Sequence, residues 1–144
     1  MTRVTLDSNV YLSGFVFDGK PKRVLEMAID GEIEVAVSDP IIQEVRRHLL
    51  GKFGWSEPRA AEAVESIAEF AKHVTPTESI DTVPTDPDDN RVLECAVSAG
   101  SQTIVTGDDD LLRLVGFRGI EIVRVANFLT RLPVPPRRTQ PARR

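Results

Sequence analysis

Cysteine, histidine and aromatic residues are scarce in this chain. One cysteine, Cys95, stands among 144 residues. A lone thiol cannot close an internal disulfide, which excludes a disulfide-stapled scaffold. Its semi-apolar surroundings mark Cys95 as a small core residue in a reducing compartment. The two histidines, His48 and His73, have no serine or cysteine partner in a recognisable motif. The single tryptophan, Trp55, lies in a glycine-flanked loop and reads as a packing anchor rather than a base-stacking platform. No apolar run approaches the roughly 20 residues of a membrane span. The N-terminal stretch lacks an apolar core, so no secretory signal is expected. There is no glycine-rich phosphate loop of the Walker or Rossmann kind. Positive charge is not in excess either, since the net charge is -4. That balance does not advertise nucleic-acid binding, yet acidic ligands lower a net charge while arginines elsewhere can hold phosphates. A single cytoplasmic domain is the expectation.

What the chain does have is alternation of strand and helix signals. Val4-Thr5-Leu6 reads as a buried strand ending at Asp7. Asp7-Ser8-Asn9 then turns into Val10-Tyr11-Leu12. Gly14, Asp18, Gly19 and Pro21 mark a loop. Val24, Leu25, Ala28 and Ile29 follow at helical spacing and stop near Gly31. Residues 33–38 predict a second strand. Asp39-Pro40 predicts an N-cap and first-turn proline, heading a helix with Ile41, Ile42, Val45 and Leu49 inward. Ser56-Glu57-Pro58 opens a longer helix, and residues 73–76 suggest a short strand. A helix begins near Asp86 and is capped by Gly100. A strand over 102–106, a short helix near Leu111, a strand over 120–123 and a helix over 125–132 complete the pattern. Residues 133–144 turn to proline and arginine and read as a flexible basic tail beyond a domain of residues 1–132. Such alternation predicts the α/β class: a three-layer α/β/α sandwich with a mainly parallel central sheet.

Ligands of open parallel sheets bind beyond the carboxyl ends of the strands, and that rule sorts the acidic residues. Asp7 closes the first strand, and Asp108 follows the strand over 102–106. Glu44 lies one turn into the helix after the second strand. Asp89 heads a helix whose apolar stripe is Val92, Leu93 and Ala96, and it lies in phase with that stripe. The loop over 77–85 before it has no path set by spacing. Each acid taken alone has a plain explanation as a cap, a turn residue or a solvated flank. Several carboxylates in one place, however, repel one another, and some must take up protons. A hard divalent cation removes the repulsion, and an all-oxygen set suits Mg²⁺ or Mn²⁺ rather than zinc.

Asp7-Ser8-Asn9-Val10, Gln43-Glu44-Val45, Asp89 with Val92, Leu93 and Ala96, and Thr106-Gly107-Asp108 occur in the order found in the PIN-domain family. From about Arg3 to the last helix the chain resembles the ribonuclease toxins of VapBC-type toxin–antitoxin systems. The resemblance implies a metal-dependent endoribonuclease. Asp7, Glu44, Asp89 and Asp108 would match the acidic quartet that is catalytic and binds Mg²⁺ or Mn²⁺. Asp110 would match a further, variable acidic metal position, with Asp88 a neighbour easily confused with Asp89. Ser8, Asn9 and Thr106 would match polar positions that support the site. An RNA substrate, a cognate antitoxin protein and a homodimer are also implied. Lys20, Lys22, Arg23, Arg46 and Arg47 are the cations available for RNA phosphates. The long helix from Ser56 and the proline–arginine tail depart from the short toxins. Two rival readings remain: a non-catalytic PIN-like RNA-binding module, and a Mg²⁺-dependent phosphatase. The latter usually carries a second aspartate two residues after the first, where this chain has Asn9.

Overall fold

The computed structural model describes residues 1–131, so the tail over 133–144 lies outside the described residues. The central strand is β1 (Arg3–Leu6). The chain then passes through α1 (Ser8–Val16) and α2 (Lys20–Ile29) to β2 (Glu34–Val37), and through α3 (Asp39–Gly51) and α4 (Glu57–Phe70) to β3 (Ala71–His73). These strands build outward on one side of β1. After α5 (Pro87–Ala99) the chain crosses to the other side with β4 (Thr103–Val105), α6 (Asp109–Leu112), β5 (Gly116–Phe117), β6 (Ile120–Val123) and α7 (Val125–Arg131). The sheet order is β3-β2-β1-β4-β6-β5, parallel throughout except for β5 against β6. The result is the expected three-layer α/β/α sandwich. Val4, Leu6, Val35, Val37, Ile104 and Val105 are fully buried, because helices cover the sheet and its strands have no solvated face. Cys95 is buried, as expected of a core thiol. Among the described residues, no helix is long and apolar enough to cross a membrane.

Local details differ from the sequence pattern. The third strand is Ala71–His73, pairing with Val35–Val37, and not residues 73–76. Register with β2 decides this: β2 ends at Val37, whose carbonyl takes a last bond from the Val74 N–H at 2.8 Å. Ser38, not Asp39, is the N-cap of α3; Asp39 and Pro40 form its first turn. The Asp39 carboxylate instead meets His73 Nε2 at 2.7 Å. The two-residue strand β5 had no alternation to announce it. It forms because Arg118 and Gly119, at φ 50° and 81°, make a two-residue hairpin onto β6.

Gly14 does not end a helix; α1 runs through it. A Cβ there would lie 2.5 Å from Leu25 Cδ1 and 3.2 Å from the Pro21 carbonyl oxygen. Glycine is thus what lets α1 approach α2 closely. Leu25 is buried and cannot swing aside. Gly14→Ala is therefore expected to lower the midpoint of denaturant unfolding. Overpacking of about 1–3 kcal/mol outweighs the helix-propensity gain of about 1 kcal/mol. An unchanged or raised midpoint would refute the close-approach reading.

Candidate metal centre

The strand order reverses between β1 and β4. Such a switch point opens a crevice beyond the carboxyl ends of the two strands. Asp7 follows β1 and Asp108 follows β4, so the crevice is walled by both. The backbone zips it shut from below, through the Asp7 N–H to the Val105 carbonyl at 3.0 Å. Asp7 holds the N-cap position of α1, yet its side chain makes no cap bond. Its carboxylate is held instead by Thr106 Oγ1, 2.7 Å from Oδ2, and by Ser8 Oγ, 3.3 Å from Oδ1. Thr106 also accepts the Asp108 N–H at 2.9 Å, tying the two strand ends together. Asp108 Oδ1 accepts the N–H groups of Asp110 and Leu111 and so caps α6.

Helix α5 brings the next acids. Asp86 is its N-cap, accepting the Asp88 N–H at 3.0 Å, and Pro87 opens the first turn. Asp89, one turn in, is buried with the apolar stripe as its phase implied. The loop before α5 is strapped to that helix. Asn90 Oδ1 accepts the N–H groups of Thr82 and Val83 at 2.9 and 2.8 Å, and Nδ2 donates to the Val83 carbonyl at 2.7 Å. Glu94 Oε2 accepts the Ile80 N–H at 2.8 Å. One oxygen each from Asp86, Asp89 and Asp108 lie within 4.8 Å of one another. Asp89 Oδ2 is buried with no hydrogen-bond partner.

The electrostatics follow from this crowding. Burial, then the neighbouring negative charge of Asp108, Asp86 and Asp7, pushes Asp89 from its ordinary 3.8 up to about 8. Glu44 rises from 4.5 to about 7 by burial and by its neighbours Asp88 and Asp7, against the lowering effect of the Ser8 hydroxyl. Asp7 is raised mainly by burial, opposed by its bond from Thr106. Asp7 thus neighbours Glu44 on one side and Asp89 and Asp108 on the other. Of the quartet, Asp89 and Asp108 belong to the group of three with Asp86; Asp7 and Glu44 lie outside it, near enough for their charges to be felt. An all-oxygen donor set with an unpaired buried oxygen fits a hard divalent cation.

Other expected residues are placed differently. Asp110 is outside the group of three; its carboxylate accepts from Thr85 Oγ1 at 3.1 Å and pairs with Arg113. Ser8 sits between Asp7 and Glu44. Asn9 is exposed, and among the described residues its side chain makes no hydrogen bond to the acids. Arg47 approaches the site, 3.7 Å from Asp88, while Arg46 is paired with Glu57 at 2.6 Å. Lys22 pairs with Asp18 at 3.2 Å, and Lys20 and Arg23 are exposed. Asp86, Asn90 and Glu94 lie outside the quartet, although Asp86 is one of three carboxylates crowding the start of that helix in the sequence. Asp86 had one signal: a helix N-cap and the residue three later are brought together, as in a capping box.

The fold and the site define an α/β domain with a carboxylate-lined crevice at the switch point of its sheet. A family model described as PIN domain matches residues 3–110, and the chain belongs to the PIN domain family, whose members are generally nucleases. Among solved structures it is similar to the crystal structure of PAE2754 from Pyrobaculum aerophilum, with TM-score 0.58 and 18% identity over 90% of this chain and 88% of that one. No curated protein matches the sequence.

The raised carboxyls make a pH prediction. The unfolded chain releases these protons near 3.8 and 4.5, whereas the folded protein keeps them to about 8 and about 7. Between those limits the folded state binds more protons, so these two groups destabilise it increasingly as pH rises. A divalent cation bound there would take over the role of the protons. The Mn²⁺-induced rise in melting temperature is therefore expected to be larger at about pH 8 than at about pH 5. Melts with EDTA or Mn²⁺ at each pH check this, and an equal rise at both would contradict it.

Proposed function

We propose that this PIN domain is a metal-dependent endoribonuclease acting as the toxin of a toxin–antitoxin pair in the cytoplasm. The observation that carries the nuclease reading is the clustering of Asp89 and Asp108 with Asp86, with an unpaired Asp89 oxygen, near Asp7 and Glu44 in a PIN domain. These four would hold one or two Mg²⁺ or Mn²⁺ ions. When bound, the ion supplies Lewis-acid charge at the scissile phosphate and a water of lowered pKa as the nucleophile. The chain's own residues set the geometry. Thr106 and Ser8 lock the Asp7 carboxylate in orientation. The cap bonds to Asp108 Oδ1 fix that side chain on rigid backbone. Arg47, paired with Asp88, would meet a phosphate of the incoming strand. Lys20, Lys22 and Arg23 would serve the flanking phosphates. The ends produced would be 5′-phosphate and 3′-hydroxyl.

The toxin role, the antitoxin and a homodimer rest on resemblance to VapBC-type toxins. The lone buried thiol, Cys95, supports a reducing compartment. An antitoxin would cover the acidic crevice.

Incubation of a mixed RNA pool with EDTA, Mg²⁺ or Mn²⁺ tests the activity. Cutting is expected only with the metals. Asp7→Asn should reduce the rate by about 10²–10³, the usual cost of losing one preorganised electrostatic group. Near-full metal-dependent cutting by Asp7→Asn would overturn the assignment.

A further inference from the structure

The quartet does not include Asp86, yet Asp86 stands with Asp89 and Asp108 in the group whose oxygens lie within 4.8 Å of one another. Two oxygens bound to one Mg²⁺ at about 2.1 Å are no more than about 4.2 Å apart. Oxygens within 4.8 Å of one another therefore need to close by no more than about 0.6 Å to share a single ion. Asp86 and Asp108 are anchored alike. Each gives Oδ1 to backbone N–H groups at a helix start, Asp86 to Asp88 and Asp108 to Asp110 and Leu111. Each carboxylate therefore has a second oxygen that the cap bonds do not use.

Asp89 supplies an independent observation. It is 4% exposed, and its Oδ2 has no hydrogen-bond partner. Leaving a buried carboxylate oxygen unpaired costs free energy unless a cation meets it. Among the described residues no lysine or arginine pairs with Asp86, Asp89 or Asp108; the nearby Arg47 is paired with Asp88. Three acids share the place, one buried oxygen is unmet, and no side-chain cation answers it.

We propose that Asp86 is a direct ligand of the divalent cation, together with Asp89 and Asp108, and caps α5 with its other oxygen. The proposal rests on the metal-dependent reading of the site and extends it beyond the quartet. Asp86 lies at the end of the loop strapped down by Asn90 and Glu94, so the ion would bind that loop end and the head of α5 together.

The test separates capping from ligation. Asn caps a helix about as well as Asp, so Asp86→Asn keeps the cap and removes the charge. Mn²⁺ binding to the full chain is measured by calorimetry for wild type, Asp86→Asn and Asp89→Asn, with melting temperatures in EDTA. In EDTA, Asp86→Asn should melt at or above wild type, because one of three like charges is gone. Its Mn²⁺ dissociation constant should rise at least about tenfold, the lower end of what even an outer-shell partner contributes. Wild-type Mn²⁺ affinity in Asp86→Asn, with affinity lost in Asp89→Asn, would overturn the proposal and leave the nuclease reading standing. Failure of the folded wild type to bind Mn²⁺ would overturn both.

Discussion

Negative charge confined to one crevice is the constraint around which this structure is arranged. Asp7, Glu44, Asp86, Asp89 and Asp108 come from four separate parts of the chain and meet where the sheet order reverses. Each would be more stable in water. The fold holds them together by fixing their carriers: β1 and β4 are paired in parallel, and α5 packs on the sheet. The unpaired Asp89 oxygen and the raised carboxyls of Asp89 and Glu44 are the marks of that strain. Three clustered carboxylates of this kind could hold a divalent cation, which would relieve that strain.

The polar residues around the cluster have structural roles that are as definite as the acids'. Thr106 donates to Asp7 and accepts from Asp108, so one hydroxyl sets the spacing of two strand ends. Asn90 makes three bonds to the preceding loop and Glu94 a fourth. At about 1 kcal/mol net each, they are enough to hold a segment with few apolar contacts. Only Ile80 and Val83 of that loop enter the core. The path of the loop into α5 therefore depends more on polar bonds than on packing.

The likeness to PAE2754 at 18% identity shows how the same architecture is kept by pattern. Buried strands need only apolar, β-branched residues, and parallel order follows from the crossovers. Sites at the switch point need particular side chains at few positions. The family match covers residues 3–110, and the fold continues to β6 and α7.

How far the sequence alone reached follows from the range of each interaction. The α/β class, the strands β1, β2, β4 and β6, the helix start at Asp86-Pro87 and the Gly100 cap were legible, because period, turn chemistry and capping act within a few residues. So was the edge shared by Asp7 and Asp108, since strand ends share an edge in any parallel sheet. The limits of β3, the β5 hairpin, the run of α1 through Gly14 and the pairing of Asp110 with Thr85 and Arg113 were not. Each depends on a partner distant in sequence or on a backbone conformation without a strong residue signature. The sequence determined which acids the chain would offer and on which kind of element. Only the tertiary structure decided that the head of α5, with Asp86 and Asp89, would come beside Asp108, because the path of the loop over 77–85 is set by Asn90 and Glu94 bonding across to backbone that no local spacing reveals.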